Sequence, residues 1–462
     1  MKNLLNNIIY GISSLWLLLI AYSCDDFVEI DQPNSQLTLQ AVFEDPTTAT
    51  AAMTDIYSQM RENGIMTGRT IGYSCLSGVY SDELISFESD IYSTAPFYTN
   101  SLLASNTTVE SIWKNTYSQI YSANAIIEGV TNSSRLQTEI KNQLKGEALF
   151  VRALLHFYLV NMFGDIPYVM TTDYNQNNVV SRTPTLEVYQ KLKQDLEESI
   201  NLLGVAYITT DRTRPNKATA QALLARVYLY NGNYSDAVNM STIVLNNSSM
   251  YVMESNLENT FLKSSSSTIW QFSPGASGAN TYEGTTYIFL EGPPNKVSLL
   301  TDFVSQFNDN DLRKAHWIKG VTNGSETWYH AFKYKQNNNS GSSVEYSILF
   351  RIEEQYLIRA EAKVKTGDIA GACEDLNKIR NRVGLPNVEV TSQEELLDAI
   401  LQERKFEFFT EFGHRFFDLK RFGKLDEALV NKPGWNSTDK LWPIPISEIL
   451  INPNLNPQNP GY

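Results

Sequence analysis

The sequence predicts a mostly α-helical protein in which tetratricopeptide-like helical hairpins support an irregular, loop-rich half. Three observations carry that prediction. Apolar residues recur at three- and four-residue spacing through several long segments. Two distant segments repeat a helix, Gly turn and helix with small residues at the crossing. Between those two segments, from about 242 to 344, no helical period is sustained.

The chain opens on Lys2 and an apolar stretch from Ile8 to Ile20, too short and poorly flanked for a spanning helix. Ile20-Ala-Tyr-Ser-Cys24 follows, and a small residue before a cysteine after an apolar run resembles the bacterial lipobox. Residues 1–23 are therefore read as a lipoprotein signal peptide and Cys24 as the acylated anchor, with 24–39 as a lipidated tether. Several acyl chains hold firmly, since each buried CH2 contributes about 0.8 kcal/mol. Asp25 and Asp26 resemble a surface-export signal.

Helical patterns begin at Asp45-Pro46 and run to Met60, with Pro46 in the first turn. Val109 to Val130 carries Ile112, Tyr117, Ile120, Ala123 and Ile127 along one side. Leu144 to Phe163 shows the clearest apolar stripe, through Leu144, Ala148, Val151, Leu155, Leu159 and Met162; Gly164 stops it and Pro167 prevents resumption. Thr185 to Leu203 repeats that logic. The two hairpin segments align Ala225, Gly232 and Ala237 with Ala360, Gly367 and Ala372. The scaffold thus covers about 40–241 and 345–430, around an insert at about 242–344. That insert is rich in Ser, Asn, Gly and rings, with strand-like pieces at Thr268–Phe272 and Thr286–Leu290. Long loops of this kind usually carry function.

A net charge of −14 argues against nucleic acid or anionic lipid as a partner. The chain holds 25 Tyr, 21 Phe and 7 Trp, and ring faces beside amides and hydroxyls suit flat, hydroxyl-rich ligands. Most rings in any protein nevertheless serve the core. Three cysteines without C-x-x-C spacing exclude a disulfide scaffold, and Cys75 and Cys373 read as small buried hydrophobes.

Catalytic signatures are missing. The sequence has no P-loop, dinucleotide fingerprint, H-E-x-x-H or G-x-S-x-G, so no cofactor is expected. Glu411, His414 and Asp418 could share a helical face, but Arg415, Lys420 and Arg421 beside them favour a salt-bridged network over a metal. The pairs Asp82-Glu83 and Glu353-Glu354 could flank a glycosidic bond only if they faced each other, which sequence neighbours on a helix do not. Glu403 to Gly423, with its dense charge and phenylalanines, reads as an amphipathic helix wedged against the core. The expectation is a protein that is not an enzyme.

Five blocks, in order, resemble the SusD/RagB family of nutrient-uptake outer-membrane lipoproteins: Gly146 to Pro167 with its Phe-Gly-Asp-x-Pro ending; Lys217 to Tyr230; Phe350 to Ala362 with Leu376 to Arg382; Glu403 to Arg421; and Leu441-Trp-Pro-Ile-Pro445 with Asn452 to Leu455 and Gln458 to Tyr462. The resemblance implies a SusD-like fold, with 40–462 as a single domain of four such hairpins and an irregular ligand-facing half. It also implies a glycan ligand, or a peptide in one branch. A SusC-like TonB-dependent outer-membrane transporter would be the partner, with the membrane touched only through the lipid anchor.

Chemistry, not the resemblance, selects the candidate ligand-binding residues. The 74–98 loop supplies Tyr80, Asp82, Glu83, Tyr92 and Tyr98. The insert supplies Trp270, Tyr282, Tyr287, Trp317 and Trp328. Two or three of these rings with a carboxylate and an Asn would form a sugar platform, so replacing Trp317 or Trp328 by Ala should weaken glycan binding without unfolding. Peptide capture and a structural or adhesin-like surface role stand as alternatives.

Overall fold

The computed structural model describes residues 39–390 and 392–462. The leader, Cys24 and the tether as far as residue 38 lie outside the described residues. Within them, no helix is long and apolar enough to cross a membrane.

Helix α1 (Pro46–Glu62) starts on Asp45, whose carboxylate accepts from the Thr47 and Thr48 N–H groups, with Pro46 where a missing N–H costs nothing. Then come α2 (Tyr73–Tyr80), α3 (Thr107–Asn132, capped by Asn106), α4 (Thr138–Phe163) and α5 (Thr185–Leu202). Two hairpins follow, α6 (Lys217–Tyr230) with α7 (Tyr234–Leu245), and α8 (Ile352–Thr366) with α9 (Ile369–Arg382). At the second, Gly367 takes φ +91° and Asp368 caps the next helix, as the Gly turn in the sequence requires. From α3 to α9 each helix packs on its successor, and α10 (Gln393–Phe408) closes against α8 and α9.

Helix α4 departs from its single apolar stripe. Every residue from Gly146 to Val160 is buried, so the helix lies in the centre of the stack. Its polar residues survive there because each has a partner. Glu147 accepts two 2.6 Å bonds from Arg214 and one from the Tyr57 hydroxyl. Arg152 forks onto Asp195 at 2.6 and 2.7 Å. Burial lowers the His156 pKa to about 3, leaving a neutral ring between the Arg152 carbonyl and the Val169 N–H.

The strands are short. β2 (Thr268–Phe272) pairs antiparallel with β6 (Ser347–Arg351), which runs directly into α8. A four-stranded sheet has the order β1-β3-β5-β4, from β1 (Leu84–Ser86), β3 (Val297–Leu299), β4 (Ile318–Asn323) and β5 (Glu326–Ala331). The strand expected at 286–290 is absent: Thr281 caps a short helix, Tyr282–Tyr287, by accepting from the Gly284 N–H.

The run 403–423 is not one helix. It breaks after Phe408, and Thr410, Phe412 and Gly413 take positive φ before α11 (His414–Arg421). Side chains of another segment take the freed backbone donors: Thr410 N–H donates to Glu83 and Phe412 N–H to Ser74. The break also separates Glu411 from the face shared by His414 and Asp418. Glu411 pairs with Arg351 and Lys333, and Asp418 with Arg404 and Arg421. No cluster suited to a metal occurs among the described residues.

Beneath the break lies a buried ionic mesh. Glu407 is bonded by Arg351 and Arg382 at 2.5 Å each and by Arg313 at 3.0 Å. Burial alone would raise its pKa, but the three guanidinium groups outweigh it and hold the carboxylate ionised. The mesh ties β6, α9 and α10 to the insert.

Candidate functional site

Burial divides the sequence-selected residues into two groups. Tyr80, Glu83, Trp270, Tyr287 and Trp317 are core residues. A ring with no exposed face cannot stack on a ligand and a buried carboxyl cannot reach one, so these four rings and Glu83 leave the binding platform. Three of the rings have their polar atoms satisfied inside: Tyr80 donates to the Asp439 carbonyl, Trp270 to the Thr213 carbonyl and Trp317 to the Leu257 carbonyl. Asp82 is committed as well, gripped by Arg415 at 2.7 and 2.8 Å and by Lys405 at 3.2 Å. Burial opposes its ionisation, but these cations prevail and hold it well below the usual carboxylate range. The expectation that Trp317→Ala would spare the fold is corrected accordingly.

Tyr92, Tyr98, Tyr282 and Trp328 remain at the surface, each held differently. Tyr92 is 65% exposed at the tip of the loop leaving β1. Its N–H donates to Asp90 at 2.7 Å, and Glu88 fastens the loop by accepting from the Thr94 N–H and hydroxyl. A cleft of about 300 Å³ opens beside it, lined by Thr70, Ile71, Glu88, Asp90, Tyr92 and Thr108 among others. Tyr98 is half-buried beneath the Lys432 ammonium, 4.1 Å from its ring centroid.

Tyr282 starts the short helix after Thr281 and donates its hydroxyl to Glu62 at 2.6 Å. The Arg69 guanidinium lies 3.8 Å over its ring and bonds the same carboxylate at 2.7 Å. Burial raises the Glu62 pKa, yet the hydrogen bonds from Tyr282, Arg69 and Arg61 outweigh it and keep the group ionised. Tyr282 and Arg61 edge a second hollow, lined also by Gly68, Pro274, Gly275 and Asn280 among others. The 67–72 loop separates it from the Tyr92 cleft, giving Gly68 to one and Thr70 and Ile71 to the other.

Trp328 sits half-exposed on β5, opposite Val321. Its ring rests on Gly292, where an added Cβ would stand 2.2 Å from a ring carbon. The 288–296 loop is pinned at its middle and its far end: the Asn323 amide donates to the Gly292 carbonyl, and Phe87 N–H to the Lys296 carbonyl. Sequence reasoning missed Glu62, Arg69 and Ile71 on this face. Gly64, Gly68 and Gly72, closely spaced around Arg69, were the available signal for a loop whose backbone approaches its neighbours tightly, Gly68 against Glu283 and Gly72 against the Thr67 carbonyl.

The candidate site is thus a loop face with exposed rings and an ionised carboxylate–guanidinium pair, suited to binding a polar ligand, while the Asn280 carboxamide is used to hold the 338–345 segment. The carboxylate pairs considered for hydrolysis are engaged elsewhere: Glu353 bonds Arg351 and Arg382, and Glu354 bonds Arg226.

Comparison with known proteins agrees with this architecture. A family model described as starch-binding and associating with the outer membrane matches residues 35–229, and the SusD family model matches residues 280–462. SusD-like protein P2 of Formosa agariphila is 30% identical over 419 residues, spanning 77% of this chain and 81% of that protein. Among solved structures, a SusD superfamily protein of Bacteroides vulgatus superposes with a TM-score of 0.79 at 20% identity, covering 91% of this chain and 99% of that one. A laminarin-binding SusD-like protein superposes with a TM-score of 0.75 at 24% identity, covering 90% and 99%. The mostly helical fold and both halves of the sequence lead to one conclusion: the chain belongs to the SusD/RagB family.

Proposed function

We propose that this chain is a cell-surface lipoprotein, anchored through Cys24, that captures a glycan and delivers it to a SusC-like TonB-dependent transporter without cleaving it. The observation that carries the glycan reading is the loop face itself. Tyr92, Tyr282 and Trp328 present ring surface, while the paired Arg69 and Glu62 side chains, 43% and 30% exposed, offer polar edges to hydroxyl groups. Capture without hydrolysis is supported by the carboxylate pairs considered for it: Asp82, Glu353 and Glu354 are ion-paired and Glu83 is buried, so neither pair sets a free base and an acid across a cleft. The outer-membrane placement draws support from the family and from the lipobox at residues 20–24.

Isothermal titration of the mature protein against laminarin, starch, xylan and mannan hexasaccharides, with a tryptic casein digest as the peptide arm, tests the reading. Binding to one sugar class is expected, with Tyr92→Ala and Trp328→Ala each weakening it about tenfold at unchanged Tm. Binding to the peptide digest alone would replace the glycan by a peptide. Release of shorter sugars from any hexamer would overturn capture without cleavage.

A further inference from the structure

Away from the loop face, a groove of about 310 Å³ runs between α3, the 167–180 segment and the C-terminal helix Ile446–Ile451. That volume is within the range of small-ligand sites, roughly 300–1,000 Å³. Trp113, Tyr117 and Tyr121 share one side of α3 at four-residue spacing and form its aromatic wall. Trp113 is nearly fully buried as the floor, and its ring centroid is 4.8 Å from that of Tyr117. Tyr117 is fixed by its hydroxyl, which donates to the Pro167 carbonyl at 2.9 Å. Tyr121 is 49% exposed at the open end. Tyr117 and Tyr121 stand about 6 Å apart along the helix axis, on the scale of one sugar ring.

The opposite wall is polar where a sugar needs it. Asn177 and Asn452 use their amide N–H groups internally, on the Thr171 and Val180 carbonyls, which fixes the two side chains. Asn178 is exposed beside them. Glu448 lies 3.7 Å from Lys114, too far for a hydrogen bond, while Lys114 bonds Glu110 instead. The Glu448 carboxylate therefore keeps acceptor capacity at the groove. A purely apolar groove would suit a protein helix. Rigid rings facing amides, a carboxylate and an ammonium suit pyranose rings, whose C–H faces stack while their hydroxyls take the polar groups.

We propose that this groove is a second saccharide-binding site. The inference deepens the glycan reading and rests on it for the ligand class. Thr108 in the first turn of α3 lines the Tyr92 cleft, and Tyr117 lies about 14 Å further along the axis. Nine residues also turn the helix by about half a revolution, so the two sites open on opposite sides of α3; a polysaccharide long enough to pass around the helix engages both, and the second contact then raises affinity for polymer over short oligomers by effective concentration.

Saturation-transfer NMR on the mature protein tests it, with laminari-, malto-, xylo- and mannohexaose and the tryptic casein digest as probes. The loop face is disabled by Tyr92→Ala with Trp328→Ala, and the groove by Tyr121→Ala with Glu448→Gln. The loop-face variant is expected to retain transfer to one hexasaccharide, and combining it with the groove substitutions to abolish it. The groove variant alone is expected to lose about tenfold in affinity for the parent polysaccharide and under twofold for the hexamer. Transfer that vanishes in the loop-face variant, or persists when both sets are combined, overturns the second site and leaves the glycan reading standing. Transfer to peptides but to no sugar in the loop-face variant overturns it too. No transfer to any sugar in the unaltered protein overturns both.

Discussion

Glu83 gives the sharpest test of the packing beneath the loop face. It is a core carboxyl whose one oxygen accepts from the Thr410 N–H at 3.3 Å, while the other has no hydrogen-bond partner among the described residues. Burial, then the neighbouring Asp82 carboxylate, push its pKa from the ordinary 4.5 up to about 8. In the folded protein at pH 7 it keeps its proton, whereas the unfolded chain has released it. Its contribution to stability is therefore fully present below pH 4.5, is lost progressively above that, and is gone once pH passes 8. At about 1.4 kcal/mol per pH unit, that window is worth on the order of 5 kcal/mol. Glu83→Gln keeps the shape and removes the titration. Urea unfolding at pH 5, 6, 7 and 8 should show the variant at or slightly below the parent at pH 5, then gaining about 1 kcal/mol per unit over it. Parallel stability curves for the two proteins would refute a neutral buried Glu83.

Three further outcomes are expected. Arg226→Ala strands Glu354, to which Arg226 makes two 2.6 Å bonds with both side chains almost fully buried, and should cost about 3–5 kcal/mol. Arg226→Met with Glu354→Leu should recover most of that in urea melts, and equal losses in both variants would remove charge burial as the cause. Trp317→Ala should cost about 3–5 kcal/mol by emptying a core position, and a Tm equal to the parent's would contradict that burial. Gly292→Ala would drive a methyl into the Trp328 ring and should weaken glycan binding about tenfold, with Tm within a few degrees of the parent; unchanged affinity would show that the ring's present seat does not matter.

The scaffold was legible because its signals are local. Pro46 in a first turn, Gly164 and Gly367 at helix ends, and Ala at helix crossings each dictate a conformation within a few residues of themselves. The break at 409–413 was not legible, because its cause is distant in sequence. Glu83 and Ser74 supply the acceptors that let Thr410 and Phe412 leave the helix, and Arg351 and Lys333 hold Glu411 aside. Helical period within 403–423 carries no trace of those partners. The strand expected at 286–290 failed for the opposite reason: a strong local cap at Thr281 outweighed a β-rich composition.

The candidate rings failed by half for a reason that belongs to their chemistry. Trp and Tyr bury the most apolar area per side chain, and their polar handles can each be satisfied by one carbonyl, so a core and a sugar platform recruit the same residues. Trp270 and Trp317 became core because each N–H finds such a carbonyl inside, from Thr213 and Leu257. Tyr92 and Tyr282 stayed outside because their neighbours are charged: Glu88 and Asp90 shape the first loop, and Glu62 with Arg69 claims the second ring. Desolvating those groups would cost more than burying one more ring gains. The useful sequence signal for an exposed platform in this chain was thus a ring within a few residues of Asp, Glu or Arg on a Gly- or Ser-rich loop. By that criterion Tyr121, on a helix beside Lys114 and across from Glu448, is visible only in three dimensions. The pairing of α3 with the chain's last helix brings it there, and no local pattern encodes that.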